Sequence, residues 1–246
     1  MMNENTQPVN GVAETANLGL CDVALERAIE RTDSLPGMVC LYGPSGWGKS
    51  VAATYVACRR RAYYVQAKSV WTKKHTLKAI LHEMGIHAER SIPEMLDQAA
   101  QELAVSGRPL IVDEMDHVVE KNLVGLICDL YESSQAPILL IGEEGLPKKL
   151  KKWDRFHQRV LGWIPAQEVT LEDARKIVPL YAPGLEIADD LLNHLVSLSG
   201  GSVRRVAVNL ELIHDVAGAA GMDYLDKANW GRRELYTGDA PRRRLP

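Results

Sequence analysis

Residues 43–50 read Gly-Pro-Ser-Gly-Trp-Gly-Lys-Ser, directly after the apolar run Met38-Val39-Cys40-Leu41-Tyr42 and directly before the helix-compatible Val51-Ala52-Ala53. Strand, glycine-rich loop and helix in that order form the setting of a phosphate-binding P-loop. Glycines at 43, 46 and 48 let backbone N–H groups converge on one point without interference from Cβ atoms, which suits an anion with many oxygens. In this reading Gly43, Pro44, Ser45, Gly46, Trp47 and Gly48 surround the phosphates, Lys49 reaches the β- and γ-phosphates, and the Ser50 hydroxyl ligates Mg²⁺. The ligand expected is ATP with Mg²⁺.

Pro109-Leu110-Ile111-Val112-Asp113-Glu114 is a second short apolar run, and it ends in two adjacent carboxylates. A buried parallel strand has this form when its carboxyl end opens into a ligand crevice. Beside a P-loop, Asp113 is expected to hold Mg²⁺ through its water shell and Glu114 to polarise the attacking water.

The rest of the chain reads as alternating elements. A helical stripe runs through Leu20, Val23, Ala24, Ala28 and Ile29, and a strand rich in β-formers spans 62–67. Two further helices carry Leu77, Ile80, Leu81, Met84 and then Ile92, Met95, Leu96, Ala99, Leu103. The acidic strand follows, then a helix through Val119, Leu123, Leu126, Ile127 and Leu130, then a strand over 137–142. Strands alternating with helices predict an α/β fold, a parallel sheet covered by helices on both faces. After Pro165 only helical periodicity is seen, so a small helical lid is expected to follow. The expected domains are a disordered tail over 1–17, a nucleotide-binding domain over 18–165, a lid over 166–225 and a flexible basic tail over 226–246.

Composition narrows the function classes. With 246 residues and 46% hydrophobic content the chain can bury one substantial core and a small second one. A net charge of −3 supplies no global basic field, so any nucleic-acid contact must come from local patches. Cys21, Cys40, Cys58 and Cys128 lack ligand spacing and read as buried thiols in a reducing compartment. No apolar run approaches the roughly 20 residues that span a bilayer, and no membrane partner is expected. The expected location is the cytoplasm.

A P-loop domain, an Asp-Glu strand, a further strand, an arginine-bearing segment and a helical lid together resemble the AAA+ ATPases. Leu140-Ile141-Gly142, Trp153-Asp154-Arg155-Phe156 and Ser199-Gly200-Gly201-Ser202-Val203-Arg204 look most like the DNA-transposition ATPases related to the phage Mu B protein and transposon target selectors. The resemblance implies an ATPase that assembles into a filament or ring on duplex DNA, with little sequence preference, and delivers that DNA to a transposase. A helicase-loader or secretion-associated ATPase is the alternative within the class, and a P-loop small-molecule kinase lies outside it. The family pattern also implies that Arg155, or Arg159 one turn on, reaches a neighbouring subunit's nucleotide, and that Arg204, or Arg205, senses the γ-phosphate. Ser202 ahead of Val203 reads as a helix N-cap.

Glu143 departs from this pattern, since related chains place a neutral polar residue after the fourth strand. A carboxylate there repels the γ-phosphate unless it is paired, which implies slow hydrolysis. For DNA, the segment Lys68-Ser69-Val70-Trp71-Thr72-Lys73-Lys74 is expected to be a basic loop after the second strand, with Lys73 and Lys74 on backbone phosphates.

Overall fold

The computed structural model describes residues 11–239. By internal packing these fall into two units, one of residues 17–45 and 49–166, the other of residues 11–16, 46–48 and 167–239. In chain order the first carries α1 (Ala16–Ile29), β1 (Met38–Tyr42), α2 (Lys49–Arg60), β2 (Tyr63–Gln66), α3 (Lys73–Glu83), α4 (Ile92–Ser106) and β3 (Leu110–Asp113). It continues through α5 (Met115–Glu120), α6 (Val124–Ser134), β4 (Ile138–Gly142), α7 (Leu146–Leu150), α8 (Asp154–His157) and β5 (Val160–Pro165).

The five strands form one parallel sheet in the order β2-β3-β4-β1-β5. Its middle reads as unbroken apolar runs because both faces are covered: every residue of β3 and β4 is buried, as are Met38 to Leu41 of β1. Tyr42, Asp113 and Gly142 therefore end three adjacent strands at the carboxyl edge, the edge where open α/β sheets hold ligands. A core of Met38, Cys40, Leu77, Ile80, Leu103, Val112, Ile127 and Leu140 fixes that edge from below.

Sequence periodicity had no signal for β5. This strand is a half-buried edge strand containing Gly162 and Pro165, and its register against β1 shifts between Met38 and Val39, so it lacks the continuous apolar run of the others. The single helix expected near 119–130 is two, α5 and α6, broken where Asn122 takes φ 54°. Lys73 and Lys74 are not in a loop: Thr72 caps α3, and both lysines occupy its first turn. Trp71 packs against the core.

The second unit carries α9 (Leu171–Tyr181), β6 (Glu186–Ile187), α10 (Asp189–Ser199), α11 (Val203–Ala220), β7 (Tyr224–Leu225) and α12 (Lys227–Trp230). It is helical apart from a short parallel pair, β6 with β7, which the helical periodicity did not reveal. Ser202 caps α11 as expected, accepting from the Arg205 N–H at 3.2 Å. The stretch after residue 225 differs from a flexible arm. Trp230 is buried in the core of this unit beside Leu191 and Leu210, and buried Asn209 exchanges hydrogen bonds with the Tyr236 backbone at 2.7 and 2.9 Å. An indole and a buried amide, each satisfied, outweigh the polar composition around them. The arginines 242–244 and the first ten residues lie outside the described residues.

Candidate nucleotide-binding site

Gly46 and Gly48 adopt φ +83° and +86°, backbone that side chains with a Cβ seldom take, and this folds the loop around its own N–H groups. Gly43 has a different reason to be glycine: a Cβ there would stand 2.7 Å from the Cβ of Ala166. Lys49, the first residue of α2, is buried, and its ammonium donates to the Gly43 and Pro44 carbonyls at 2.7 and 2.8 Å. Burial lowers its pKa, while the carboxylates of Asp113, Glu114, Glu143 and Asp116 pull it back up. Ser50 follows in the first turn of the same helix.

Asp113 is 2% exposed and held from two directions: the Tyr64 hydroxyl donates to Oδ2 at 2.9 Å, and the Glu114 N–H donates to Oδ1 at 2.8 Å. Glu114 itself sits at φ 55° and ψ 42°. For a glutamate this left-handed conformation is uncommon and strained, and such residues concentrate where a side chain must be aimed. Burial, reinforced by the charge of Asp113, raises the Glu114 pKa.

Two residues of this region, Asp116 and Tyr64, belong to none of the sequence motifs. Asp116, 4% exposed, accepts the Glu143 N–H at 2.6 Å on Oδ2 and the Lys149 ammonium at 2.7 Å on Oδ1. It thereby joins the start of α5, the end of β4 and α7. Gly142 is glycine to admit it, since a Cβ there would lie 2.6 Å from Asp116 Oδ2. The Glu143 side chain is exposed, and its position is set through its backbone. The sequence carried a faint signal, an acid closing the Asp-Glu-Met-Asp run, but nothing to say that its partner would be a backbone N–H. Tyr64 was equally silent, because only the β2–β3 register brings it to Asp113.

Arg155 and Arg159 are engaged within the chain. Arg155 donates to Glu132 through Nε at 3.0 Å, and its Nη2 pairs with both Asp129, at 2.8 Å, and Glu132; Arg159 also pairs with Glu132. Arg204 lies in the second unit. Its side chain is exposed, and its N–H donates at 3.1 Å to the carbonyl of Gly46, which belongs to that unit by its packing. Arg205 is used structurally, donating to the Ser199 carbonyl at 3.2 Å. Lys73 is exposed, and Lys74 donates to the Arg90 carbonyl at 2.8 Å.

The residues present suit ATP with Mg²⁺. Among the described residues no three His, Cys, Asp or Glu side chains cluster as a metal cage. A single buried carboxylate, Asp113, in place of a cage suits a cation that keeps its waters and takes phosphate oxygens, which is the habit of Mg²⁺.

A five-stranded parallel sheet in this order, with a P-loop after β1 and an Asp-Glu pair after β3, defines the α/β P-loop fold of AAA+ proteins. Residues 31–150 match the family described as an AAA domain. A search of curated protein sequences finds no match. Among solved structures, the chain is similar to the ORC2 protein of Aeropyrum pernix in its ADP form, with 18% identity, a TM-score of 0.64, and 91% of this chain covering 68% of that one. It is similar to Aeropyrum pernix ORC1 in complex with DNA at 18% identity and a TM-score of 0.62, with 87% of this chain covering 62% of that one. Cdc6p from Pyrobaculum aerophilum gives 14% identity and a TM-score of 0.64, with 89% and 66% covered. The chain thus spans about two thirds of the length of these structures. No helix among the described residues is long and apolar enough to cross a membrane.

Proposed function

We propose that the protein is an ATP-dependent, DNA-binding ATPase that assembles on duplex DNA and presents it to a transposase. The observation that carries the ATPase part is the convergence of Lys49, Asp113 and the strained Glu114 at one end of the sheet. Lys49 and the N–H groups of the P-loop bind the triphosphate, and Ser50 and Asp113 hold Mg²⁺, which neutralises charge on the phosphate oxygens. Glu114 orients and deprotonates water, its raised pKa bringing it closer to the range where a general base works best. Arg155 or Arg159, exchanged from Glu132 to a neighbour's phosphate, and Arg204 complete the charge stabilisation.

DNA binding is supported by the fold likeness to a protein solved in complex with DNA and by the cations at the start of α3. The transposase rests on the sequence motifs alone. A helicase-loader-type role is the second reading, and the fold likeness to ORC and Cdc6 proteins does not favour the transposase over it. Electron microscopy with duplex DNA, with and without ATP, tests the assembly. ATP-dependent filaments or rings are expected, and monomers in both conditions would remove self-assembly and favour a small-molecule kinase. Strand-transfer assays against loading of a ring helicase then separate the two readings.

A further inference from the structure

Toward the end of α2 remote from the P-loop, a cavity of about 360 Å³ is lined by Thr54, Ala57, Cys58, Arg61, Ala62, Tyr64, Glu83 and Arg108. Its cations are placed by the backbone. Arg61 lies in the turn between α2 and β2 at φ 54° and lines the cavity. Arg108 stacks its guanidinium 3.8 Å over the ring of Tyr63 and donates Nε to the Arg61 carbonyl, so the Nη groups remain as donors. Neither guanidinium has an ion pair among the described residues, although Glu83 belongs to the same lining. Arg59 and Arg60 next door differ in this respect, both being paired with Asp22.

Two guanidiniums without an ion pair among the described residues at one cavity, against one carboxylate, select an anion, and the forked donor geometry of arginine matches phosphate oxygens. The cavity is too large for a lone carboxylate to fill and is walled by Ala57, Ala62 and the Tyr64 ring, which leaves room for the group that carries the phosphate.

The same lining reaches the candidate metal ligands by two hydrogen bonds. Thr54 Oγ1 donates to the Ser50 carbonyl at 2.9 Å, and the Tyr64 hydroxyl donates to Asp113 Oδ2 at 2.9 Å. We infer that this cavity is a second, phosphate-binding site, distinct from the P-loop, and that its occupancy is transmitted through Thr54 and Tyr64 to the residues that hold Mg²⁺. The phosphate comes either from a free phosphate ion or from the backbone of DNA. The transmission rests on the nucleotide reading of the P-loop; the site itself does not.

The cavity contains its own reporter. Cys58 is exposed, unlike the expectation for it, whereas Cys21, Cys40 and Cys128 are buried. The rate of Cys58 alkylation by N-ethylmaleimide is measured on the full chain with inorganic phosphate and, separately, with short duplex DNA. Protection of about tenfold is expected once the ligand stands about ten times above its Kd. Protection by phosphate identifies the free ion as sufficient, and protection by DNA alone identifies the backbone. Arg61→Gln, an exposed change, abolishes the protection, and Lys49→Ala leaves the protection by inorganic phosphate intact. Unchanged reactivity with both probes, protection that survives Arg61→Gln, or phosphate protection that disappears in Lys49→Ala, overturns the site. The same ligand shifts nucleotide affinity in the wild type but not in Tyr64→Phe; no shift, or an equal shift in Tyr64→Phe, overturns the transmission. Should Lys49→Ala bind nucleotide normally, the P-loop reading fails while Cys58 protection still reports the site.

Discussion

Glu114 carries two costs at once, a left-handed backbone and a carboxylate pushed toward its neutral form. Strain of this kind amounts to about 1–3 kcal/mol and persists only where the surroundings over-determine it. Here Asp113 Oδ1 holds the Glu114 N–H and α5 begins at the next residue, so the turn is fixed from both sides. Glu114→Gln is expected to keep ATP binding, lower hydrolysis by about 10²–10⁴, and stabilise the assembled state, while Lys49→Ala loses binding and assembly together. The sign of the pH dependence follows from the two shifts. A raised Glu114 pKa means that turnover falls on acidification at a higher pH than an ordinary glutamate would allow, and a lowered Lys49 pKa brings the alkaline loss of binding below the usual lysine range. Separate pH profiles of turnover and of nucleotide affinity check this, since only the first should show the acid limb. Asp116 gives a stability prediction. Asp116→Ala leaves the Glu143 N–H without its acceptor and Lys149 without its main partner, which costs about 1–3 kcal/mol, read as a lower denaturation midpoint.

At the scale of elements, charge pairs between α6 and α8 decide what the arginines can do. Arg155 is half-exposed, and exposed ion pairs contribute only about 0–1 kcal/mol, so the hold of Glu132 and Asp129 is weak enough to be exchanged for a phosphate. Arg155→Ala is expected to leave nucleotide affinity of the isolated subunit intact and to lower turnover by about 10³–10⁵. Mixing that variant with Lys49→Ala should restore part of the activity if the arginine acts on a neighbour's nucleotide. Without complementation from Arg155→Ala or Arg159→Ala, both arginines are surface ties from α6 to the segment of α8 and the turn after it. The elements themselves were legible where one physical rule dominated. Buried strands such as Leu110–Asp113 announce themselves by continuous apolar runs, and helices such as Ile92–Ser106 by their apolar stripe. Illegible elements were those in which rules competed. Edge strand β5 carries glycine and proline, α12 is a single turn anchored by one tryptophan, and β6 pairs with β7 across a span that holds two helices. The P-loop was readable because its backbone demands glycine, whereas Tyr64 and Asp116 act through partners that only the sheet register brings near.

At the scale of the whole molecule, a net charge of −3 means that DNA is attracted locally or not at all. Lys73 and Lys74 stand in the first turn of α3, and the Lys74 bond to the Arg90 carbonyl draws the segment leading into α4 to the same place. A helix start already favours anions through its free N–H groups, so these lysines add point charges where the backbone is favourable. The double change Lys73→Ala, Lys74→Ala is expected to weaken DNA binding in the ATP state by a similar factor on unrelated sequences, with ATP binding unchanged. Removing one lysine–phosphate pair should reduce the slope of log affinity against log salt by about 0.9, because fewer counterions are released. Loss of Lys74 also frees the Arg90 carbonyl, which solvent can satisfy because the residue is exposed, so the fold should tolerate the change. Assembly without DNA must be measured beside it, since a weakened subunit interface lowers apparent DNA affinity by mass action alone. An unchanged salt slope at wild-type affinity would move the DNA interface away from α3, and Arg61→Gln in the same assay would then show whether it lies at the β2 edge.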